Sequence, residues 1–246
     1  AGLTAAELER FAEAGTTARK AGARDIAACL TQNALGATTV GGTLAVGAVL
    51  GIRFLGTGGI GGVHRGFAEH PDISGDLTQL ARTPAVVVCS GAKSILDVPA
   101  TAELLETLNV PVLGWRTDTL PVFYSGHGGP PVSARVDTAA DAARVAAAHW
   151  QLIGASGLLL GRAPDPALEI EPVLTEAVAR VQESGITGPA VTPAVLALVE
   201  ELTDGASGAV NRRLIADNAA LAAEVAVAYA GDLTDPPGWS SLDGGG

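Results

Sequence analysis

Short apolar runs and longer helical segments alternate along most of the chain. Four short runs have the length and composition of buried strands: 52–55, 85–89, 112–115 and 157–160. Segments of helical length and spacing precede, separate and follow them, at about 4–14, 40–50, 77–82, 100–108, 138–153, 172–184, 192–203 and 209–230. Strands that alternate with helices predict an α/β fold, in which helices cover both faces of a sheet.

The same pattern predicts one α/β domain over residues 1–231. No internal repeat is visible, and a chain of 246 residues suits one sizeable core. Residues 232–246 are rich in Gly, Pro and Asp, which predicts a flexible tail. The first segment has the capping pattern of an amphipathic helix and not of a signal peptide. Gly and charged residues interrupt the apolar stretches, so we expect no membrane span.

Charge and cysteine content narrow the function classes. The chain has 15 basic and 26 acidic residues and a formal net charge of −11, without a basic stripe. This argues against binding of nucleic acid, so any anionic ligand is expected to be small and held locally. Cys29 and Cys89 lie in apolar segments, which predicts buried thiols in a reducing compartment, by default the cytoplasm.

A glycine-rich segment and a lysine-containing loop both follow predicted strands. The first is TGGIGGVHRG at 57–66, and the second is SGAK at 90–93. In such sheets, ligands collect where strands end in loops. The glycine spacing does not satisfy G-x-G-x-x-G, which argues against a dinucleotide site. Backbone amides in a turn of this kind are still able to bind a phosphate or a sugar oxygen.

The chain has only two lysines, Lys20 and Lys93, among its 15 basic residues. Unlike arginine, a desolvated lysine is able to lose its proton and act as an amine nucleophile. Small and apolar neighbours flank Lys93, which favours a lowered pKa and Schiff-base chemistry. The alternative is a surface lysine at the start of a helix. Lys20 has the local sequence of a solvated loop residue.

The segment that follows the glycines offers side chains of metal-ligand type: His64, Glu69, His70, Asp72 and Asp76. They lack the helical His-x-x-x-His spacing of a zinc site and are more compatible with Mg²⁺ or Mn²⁺, held by carboxylates and water. The alternative is a polar loop that caps a helix starting near Ser74.

Four further polar residues stand out near or within predicted helices. His127 and His149 are predicted to be structural. Asn211 and Asn218 lie seven residues apart on one face of the last helix. An asparagine buried in an apolar helix needs hydrogen-bond partners, which a ligand or a loop would supply.

Four stretches carry a family resemblance: GATTV at 36–40, TGGIGGVHRG at 57–66, DISGD at 72–76 and CSGAKSILD at 89–97. Together they resemble pseudouridine-5'-phosphate glycosidases, a family that includes the indigoidine-cluster A-type proteins, and the similarity covers about 2–231. The resemblance implies a three-layer α/β/α sandwich with a central mixed sheet, a homotrimer and a Mn²⁺ cofactor. It also implies reversible cleavage of the C–C glycosidic bond of pseudouridine 5'-phosphate, which gives uracil and ribose 5-phosphate.

The matching motifs imply roles for individual residues. Lys93 matches the family's nucleophile, which forms a Schiff base with ribose C1′, and Asp72 matches the manganese-binding aspartate. The positions that match substrate-binding residues are Lys20, Val40, His64, Ser74, Gly75, Asp76 and Asn211. The family commonly has Ala where this chain has Gly75.

The chain departs from the family at its N-terminus. Family members carry an E-S-T-x-x-x-H-G stretch whose glutamate donates a proton, and this chain begins at a point that matches a later segment. A fragment, a second polypeptide with the missing part and a protein without full activity are three explanations. Relative to the family, the truncation predicts missing sheet strands and an exposed sheet edge or apolar surface.

Three functions are therefore considered. The first is a pseudouridine-5'-phosphate glycosidase with Lys93 as the covalent nucleophile. The second is a relative that joins ribose 5-phosphate to an aromatic natural product. The third is a non-catalytic paralogue that binds a sugar phosphate or assembles with a complete subunit.

Overall fold

A computed structural model describes residues 2–69, 71–125, 128–186 and 191–232 of the chain. The helices are α1 (Ala5–Ala14), α2 (Ile26–Thr31), α3 (Val40–Val49), α4 (Gly75–Leu80), α5 (Val98–Thr107), α6 (Ala139–Leu152), α7 (Glu171–Glu183), α8 (Val191–Leu202) and α9 (Ala206–Asp232). The strands are β1 (Arg19–Ala21), β2 (Gly36–Thr38), β3 (Phe54–Gly56), β4 (Val63–His64), β5 (Val86–Cys89), β6 (Leu96–Asp97), β7 (Val112–Trp115), β8 (Ala134–Val136) and β9 (Leu158–Arg162).

The predicted elements all occur, with shifts of a few residues at their ends. The first helix begins with the predicted cap, in which Thr4 Oγ1 accepts from Glu7 N and Glu7 Oε2 accepts from Thr4 N at 2.8 Å. The sequence pattern does not predict α2 or strands β1, β2, β4, β6 and β8, which are two to six residues long. Segments this short carry no readable hydrophobic period.

The central sheet has five strands in the order β3-β5-β9-β7-β8, and all of its pairings are parallel. Helices α4, α5 and α6 connect strands of this sheet and return the chain to the same edge, which parallel pairing requires. Antiparallel pairing joins only β4 and β6 among the described strands, in a separate two-stranded unit. The prediction of a mixed central sheet is therefore wrong, whereas the α/β class is confirmed.

Side chains of the sheet alternate between two apolar clusters, one on each face. Val87 and Leu159 belong to a cluster that also contains residues of α3, α4, α5, α7 and α8. Val86, Val88 and Leu158 belong to a second cluster with α6 and the C-terminal half of α9. Because successive residues of a strand point to opposite faces, a sheet covered on both faces needs continuous apolar strands. The three-layer α/β/α arrangement is confirmed.

Helix α9 passes from one cluster to the other. Leu214 packs in the first cluster, and Leu221 and Val225 pack in the second. By length and composition alone, 206–231 is apolar enough to cross a membrane, the one such helix within the described ranges. This corrects the prediction that no stretch reaches that length, but the helix supplies core residues to both faces of the sheet.

An exposed apolar surface lies beside β3, which forms one edge of the central sheet. Val49 at the end of α3 is 87% exposed, and Leu50 and Ile52, which follow it, are 50% and 48% exposed. Cys29 and Cys89 are buried free thiols, as predicted. His70, His127 and nearly all of the predicted tail lie outside the described residues.

Candidate functional site

The glycine-rich segment and the lysine loop run side by side beyond the carboxyl ends of β3 and β5. Ser90 N donates to Gly58 O at 2.8 Å, Ile60 N donates to Gly91 O at 3.1 Å, and Lys93 N donates to Ile60 O at 3.1 Å. These bonds extend the parallel pairing of the two strands past the sheet. Both segments follow strands, as predicted, and the backbone of Lys93 is bonded to the glycine turn.

The glycines of this region are needed for packing within the protein. A Cβ on Gly59 would lie 2.6 Å from the ring of Phe123, and a Cβ on Gly61 would lie 2.3 Å from Ser74 Oγ. Gly91 has φ of +87°, and its Cβ would lie 1.7 Å from a backbone carbonyl oxygen. Close approach explains these glycines, and the groups that approach are side chains and carbonyls of the protein itself.

Asp76 ties three segments together at the site. Its side chain is 4% exposed, Oδ1 accepts from Gly41 N at 2.7 Å and Oδ2 accepts from Gly61 N at 3.0 Å. Both oxygens of the carboxylate are therefore engaged by backbone amides of α3 and the glycine turn. Ser74 is the N-cap of α4 and its Oγ accepts from Asp76 N, which confirms the predicted cap near Ser74.

Lys93 is mostly buried, and its environment lowers the pKa of its amine. Removal from water is the largest cause; the positive charge of Lys20 lowers the pKa further, and the negative charge of Asp76 opposes both. Lys20, Asp76 and Lys93 therefore lie within electrostatic reach of one another, although they are far apart in sequence. Within the described part of the chain, no hydrogen bond or ion pair engages the amine of Lys93, which leaves it available to react.

Lys20 and Val40 come from the two-stranded unit of β1 and β2 and from the helix that follows it. Lys20 is exposed and pairs with Ala37 in the parallel register. Val40 is the first residue of α3, next to the Gly41 amide that binds Asp76. The structure thus brings Lys20 within electrostatic reach of Lys93 and places Val40 next to the amide that binds Asp76. The prediction from local sequence that Lys20 is solvated is confirmed.

His64 and Asp72 form a second pair near the glycine turn. His64 Nε2 lies 3.7 Å from Asp72 Oδ2, with the imidazole 21% and the carboxylate 49% exposed, and His64 N donates to Asp72 O at 3.0 Å. Within the described ranges, no group of three or more His, Cys, Asp or Glu side chains is placed to hold a metal ion. One carboxylate and one imidazole in a wet position suit a hard divalent ion that keeps several of its waters.

The two asparagines of α9 both face the carboxyl edge of the sheet. The Cβ position of Gly58 lies 2.9 Å from Asn211 Oδ1, so this half-buried amide lies against the glycine turn. Asn218 is fully buried, and its Nδ2 donates to Thr57 O at 2.7 Å and to Ser90 Oγ at 3.1 Å. The loops supply the partners that the sequence analysis expected for a buried asparagine.

Gly75 stands apart from the other predicted site residues. It is exposed, and a Cβ at this position would meet nothing within 4 Å. Thr101 is a contact residue that the sequence does not predict: its Oγ1 accepts from Val63 N at 3.0 Å and lies 2.3 Å from the Cβ position of Gly62. A threonine inside a helix gives no signal of such a contact.

Other polar and apolar features lie away from the lysine. His149 Nε2 lies 2.7 Å from Ser156 Oγ, and burial lowers its pKa, as expected for a structural histidine. Burial raises the pKa of Cys89 to about 12, so this thiol stays protonated at neutral pH and is not a nucleophile. The apolar groove beside β3, lined by Leu44, Leu50 and Phe54 among others, contains none of the predicted site residues.

The chain is similar to several proteins of known name. The chain is 47% identical over 234 residues to a pseudouridine-5'-phosphate glycosidase of Chloroflexus aurantiacus, covering 92% of this chain and 77% of that protein. It is 48% identical to one of Salinispora tropica, covering 93% and 72%.

The chain is also similar in structure to two solved proteins. The prealnumycin C-glycosynthase AlnA, solved in complex with ribulose 5-phosphate, superposes with a TM-score of 0.87 at 40% identity and covers 95% of this chain and 78% of its own. An indigoidine synthase A-like protein of Thermotoga maritima superposes with a TM-score of 0.81 at 34% identity, covering 92% of this chain and 75% of its own. The family model of indigoidine synthase A-like proteins matches residues 1–228, and the chain belongs to this family.

Proposed function

We propose that this protein is a pseudouridine-5'-phosphate glycosidase, a lyase that reversibly splits the C–C glycosidic bond of pseudouridine 5'-phosphate to uracil and ribose 5-phosphate. The observation that carries the proposal is the amine of Lys93, buried beside Lys20 and Asp76 at the carboxyl edge of the sheet. Relatives that bear this name are 40–48% identical over nearly the whole chain.

The chemistry of a C-glycoside explains why an amine is needed. Uracil is attached through carbon, so protonation of a heteroatom leaving group is not available. In the proposed reaction the Lys93 amine bonds to C1′ as the ring oxygen leaves and takes a proton. The nitrogen lone pair then forms an iminium while the C1′–uracil bond breaks, and its electrons take a proton on the uracil carbon. Water hydrolyses the iminium and releases ribose 5-phosphate.

The lowered pKa of Lys93 supports the nucleophilic role, because only the neutral amine is able to attack C1′. We propose that Lys20, Val40, His64, Ser74 and Asn211 contact the substrate around this amine. Both carboxylate oxygens of Asp76 already accept from backbone amides, so its proposed contribution is to hold the loops and the charge balance. Gly75 would contribute its backbone, since it has no side chain.

The test is uracil release from pseudouridine 5'-phosphate by wild type and Lys93→Arg. Arginine keeps the positive charge but does not deprotonate, so we expect a loss of about a thousandfold or more in kcat/KM. Ser156→Ala, which removes a buried hydroxyl at the amino edge of the sheet, should keep the wild-type rate within a few fold. Wild-type protein that binds ribose 5-phosphate without turnover would instead favour the non-catalytic paralogue.

We also propose a Mn²⁺ site at Asp72, supported by the resemblance and by the His64 imidazole 3.7 Å from the carboxylate. Bound there, the ion would polarise sugar oxygens during ring opening. A single carboxylate in a wet position binds weakly, so EDTA should strip the ion without unfolding the protein. Calorimetric titration with Mn²⁺ should show binding by wild type and none by Asp72→Ala. Equal binding by both would contradict the site.

A second candidate function has its own support in AlnA, a C-glycosynthase with a TM-score of 0.87 to this chain. In that case the same lysine would activate ribose 5-phosphate for attack by an aromatic carbon other than uracil. Ribose 5-phosphate should be incubated with uracil or with phenolic aromatic acceptors, and C-ribosyl products measured by mass spectrometry. Products with uracil alone favour the glycosidase, and products with phenols alone favour the synthase.

Assembly and location complete the proposal. We propose a homotrimer, supported by the family resemblance; sedimentation equilibrium should then give three times the chain mass of 24.5 kDa. A monomer mass would contradict it. A cytoplasmic location is supported by the two buried free thiols, and subcellular fractionation would test it.

A further inference from the structure

Asn218 joins the two loops that form the site, although it lies on the last helix. Its Nδ2 donates to Thr57 O at the start of the glycine turn and to Ser90 Oγ at the start of the lysine loop. The side chain is fully buried, so water does not compete for these bonds. One amide group therefore holds both loops at the points where they leave β3 and β5.

The backbone of α9 is fixed at the same place. A Cβ on Gly56, the last residue of β3, would lie 2.5 Å from Ala219 Cα, so only glycine allows the helix to approach this closely. The neighbouring Asn218 has little freedom to move away from Thr57 and Ser90. From Ser90 to Lys93 is three residues, and the backbone of this short loop is bonded to the glycine turn at both ends.

The energetics of Asn218 also indicate a specific role. Its Oδ1 is buried and has no hydrogen-bond partner among the described residues. A buried acceptor without a partner lowers the stability of the folded protein. An apolar side chain of similar size would avoid this cost, so the two bonds made by Nδ2 are the feature that the asparagine provides.

We propose that Asn218 is a positioning residue that keeps the Ser90–Lys93 loop closed against the glycine turn, so that the Lys93 amine stays buried beside Lys20 and Asp76. Its contribution is indirect, since it acts through Thr57 and Ser90. Without it, only the backbone hydrogen bonds would hold the loop to the glycine turn, and water would reach the amine more readily. Among the described residues, the charged groups that act on Lys93 are Asp76 from α4 and Lys20 from β1, and neither is hydrogen-bonded to Asn218.

The test measures the titration of Lys93 without any substrate. Competitive labelling with acetic anhydride at a series of pH values, followed by mass spectrometry, reports each of the two lysines separately. In Asn218→Leu we expect the labelling midpoint of Lys93 to move to higher pH, because a hydrated amine holds its proton more tightly. Ser90→Ala, which removes one of the two acceptors, should shift the midpoint in the same direction by less.

Ser156→Ala is the matched control, because Ser156 is a buried polar residue at the opposite edge of the same sheet. It should lower the unfolding temperature without moving the Lys93 midpoint. An unchanged midpoint in folded Asn218→Leu would overturn the proposal, as would an equal shift in Ser156→Ala. If Asn218→Leu does not fold, Ser90→Ala decides by the same criterion.

A second measurement rests on the proposed function. Borohydride trapping of Lys93 with ribose 5-phosphate should be about 10- to 100-fold slower in Asn218→Leu, because the amine is no longer held in place. Absence of trapping in wild type would count against the proposed function and leave the labelling result intact. Normal trapping by Asn218→Leu would count against the positioning role alone.

Discussion

The two edges of the central sheet each contain a buried polar network, but the networks differ in what they leave available. At the amino edge, Ser156 Oγ lies 2.7 Å from His149 Nε2 and donates to Asn109 O at 2.9 Å, and Trp150 Nε1 donates to Ser156 O. Each of these polar groups at the amino edge therefore has a hydrogen-bond partner within the protein. At the carboxyl edge, Asp76 and Asn218 hold backbone groups of the glycine turn and a side chain of the lysine loop. The amine of Lys93, at the end of that loop, has no hydrogen bond or ion pair among the described residues.

The buried polar groups at the amino edge stabilise the fold, whereas those at the carboxyl edge also position a reactive side chain. A buried polar group is ordinarily hydrogen-bonded, and the amino edge follows that rule. At the carboxyl edge, the side chains of Asp76 and Asn218 are hydrogen-bonded to backbone groups of the glycine turn and of α3. Lys93 is desolvated there and lies within electrostatic reach of a second lysine, and both effects lower the pKa of its amine. We therefore expect substitutions at the amino edge to change stability alone, and those at the carboxyl edge to change activity and its pH dependence as well.

The largest contrast is expected between two glycines with positive φ. Gly91 at the carboxyl edge and Gly154 at the amino edge have φ of +87° and +94°, so alanine is strained at both. Only at Gly91 would a Cβ collide with a backbone oxygen, at 1.7 Å. We expect Gly91→Ala to lose about 1–3 kcal/mol more unfolding free energy than Gly154→Ala, measured by urea denaturation. Equal losses of unfolding free energy in the two variants would show that the Ser90–Lys93 loop shifts to accommodate the added Cβ at little cost.

The next effect concerns the cost of burying Lys93. Because its folded-state pKa lies below the ordinary 10.5, the protonated amine destabilises the fold fully below the folded pKa. That cost diminishes as the pH rises from the folded pKa towards 10.5. Lys93→Met removes it, so the variant should unfold at a higher temperature than wild type at neutral pH, with the difference shrinking at alkaline pH.

Ser156→Ala provides the comparison for this experiment. It should lower the unfolding temperature at every pH, because it leaves the His149 ring nitrogen without its partner. A Lys93→Met variant that is less stable than wild type at neutral pH would mean that the amine makes favourable interactions that outweigh its desolvation.

A smaller effect is expected on the pH profile of uracil release. The charge of Lys20 lowers the pKa of Lys93 and the charge of Asp76 raises it. Lys20→Gln should therefore move the acidic limb of the kcat/KM profile to higher pH, and Asp76→Asn should move it to lower pH. Asp76→Asn will also lose rate, since an amide has one acceptor oxygen for two backbone donors. Shifts in the same direction would contradict the electrostatic account.

The smallest effect is expected at Gly75. A Cβ there meets nothing within 4 Å and the residue opens α4, so Gly75→Ala should stabilise the protein by about 0.4–1 kcal/mol through the unfolded state, without changing activity. Gly61→Ala is the contrasting variant, because its Cβ would lie 2.3 Å from Ser74 Oγ. Destabilisation by Gly75→Ala in urea denaturation would show that the start of α4 is less open than its geometry indicates.

Much of the fold could be predicted from sequence because its long elements carry strong patterns. The apolar run at Val86–Cys89 and the capped helix that begins after Thr4 are local signals, and both were read correctly. The strands of two or three residues were missed, since their pairing depends on distant partners such as β1 with β2. The parallel order of the sheet is likewise a tertiary property, and the expected mixed sheet was wrong.

The site could be predicted in its chemistry and less well in its geometry. The scarcity of lysine singled out Lys93, and its position after a buried strand indicated desolvation. Nothing local showed that Lys20, 73 positions earlier in the printed sequence, lies within electrostatic reach of it. The acids near the glycines resembled metal ligands, whereas Asp76 binds backbone amides and only Asp72 lies beside a described histidine.

The central claim is that the buried amine at the carboxyl edge reacts with the sugar, and borohydride trapping tests it most directly. Wild-type protein should be incubated with ribose 5-phosphate, reduced, cleaved at arginine and mapped by mass spectrometry. The account predicts one ribosyl adduct on Lys93, little on the exposed Lys20, and none at this position in Lys93→Arg. An adduct confined to Lys20, or an undiminished total adduct in Lys93→Arg, would contradict it.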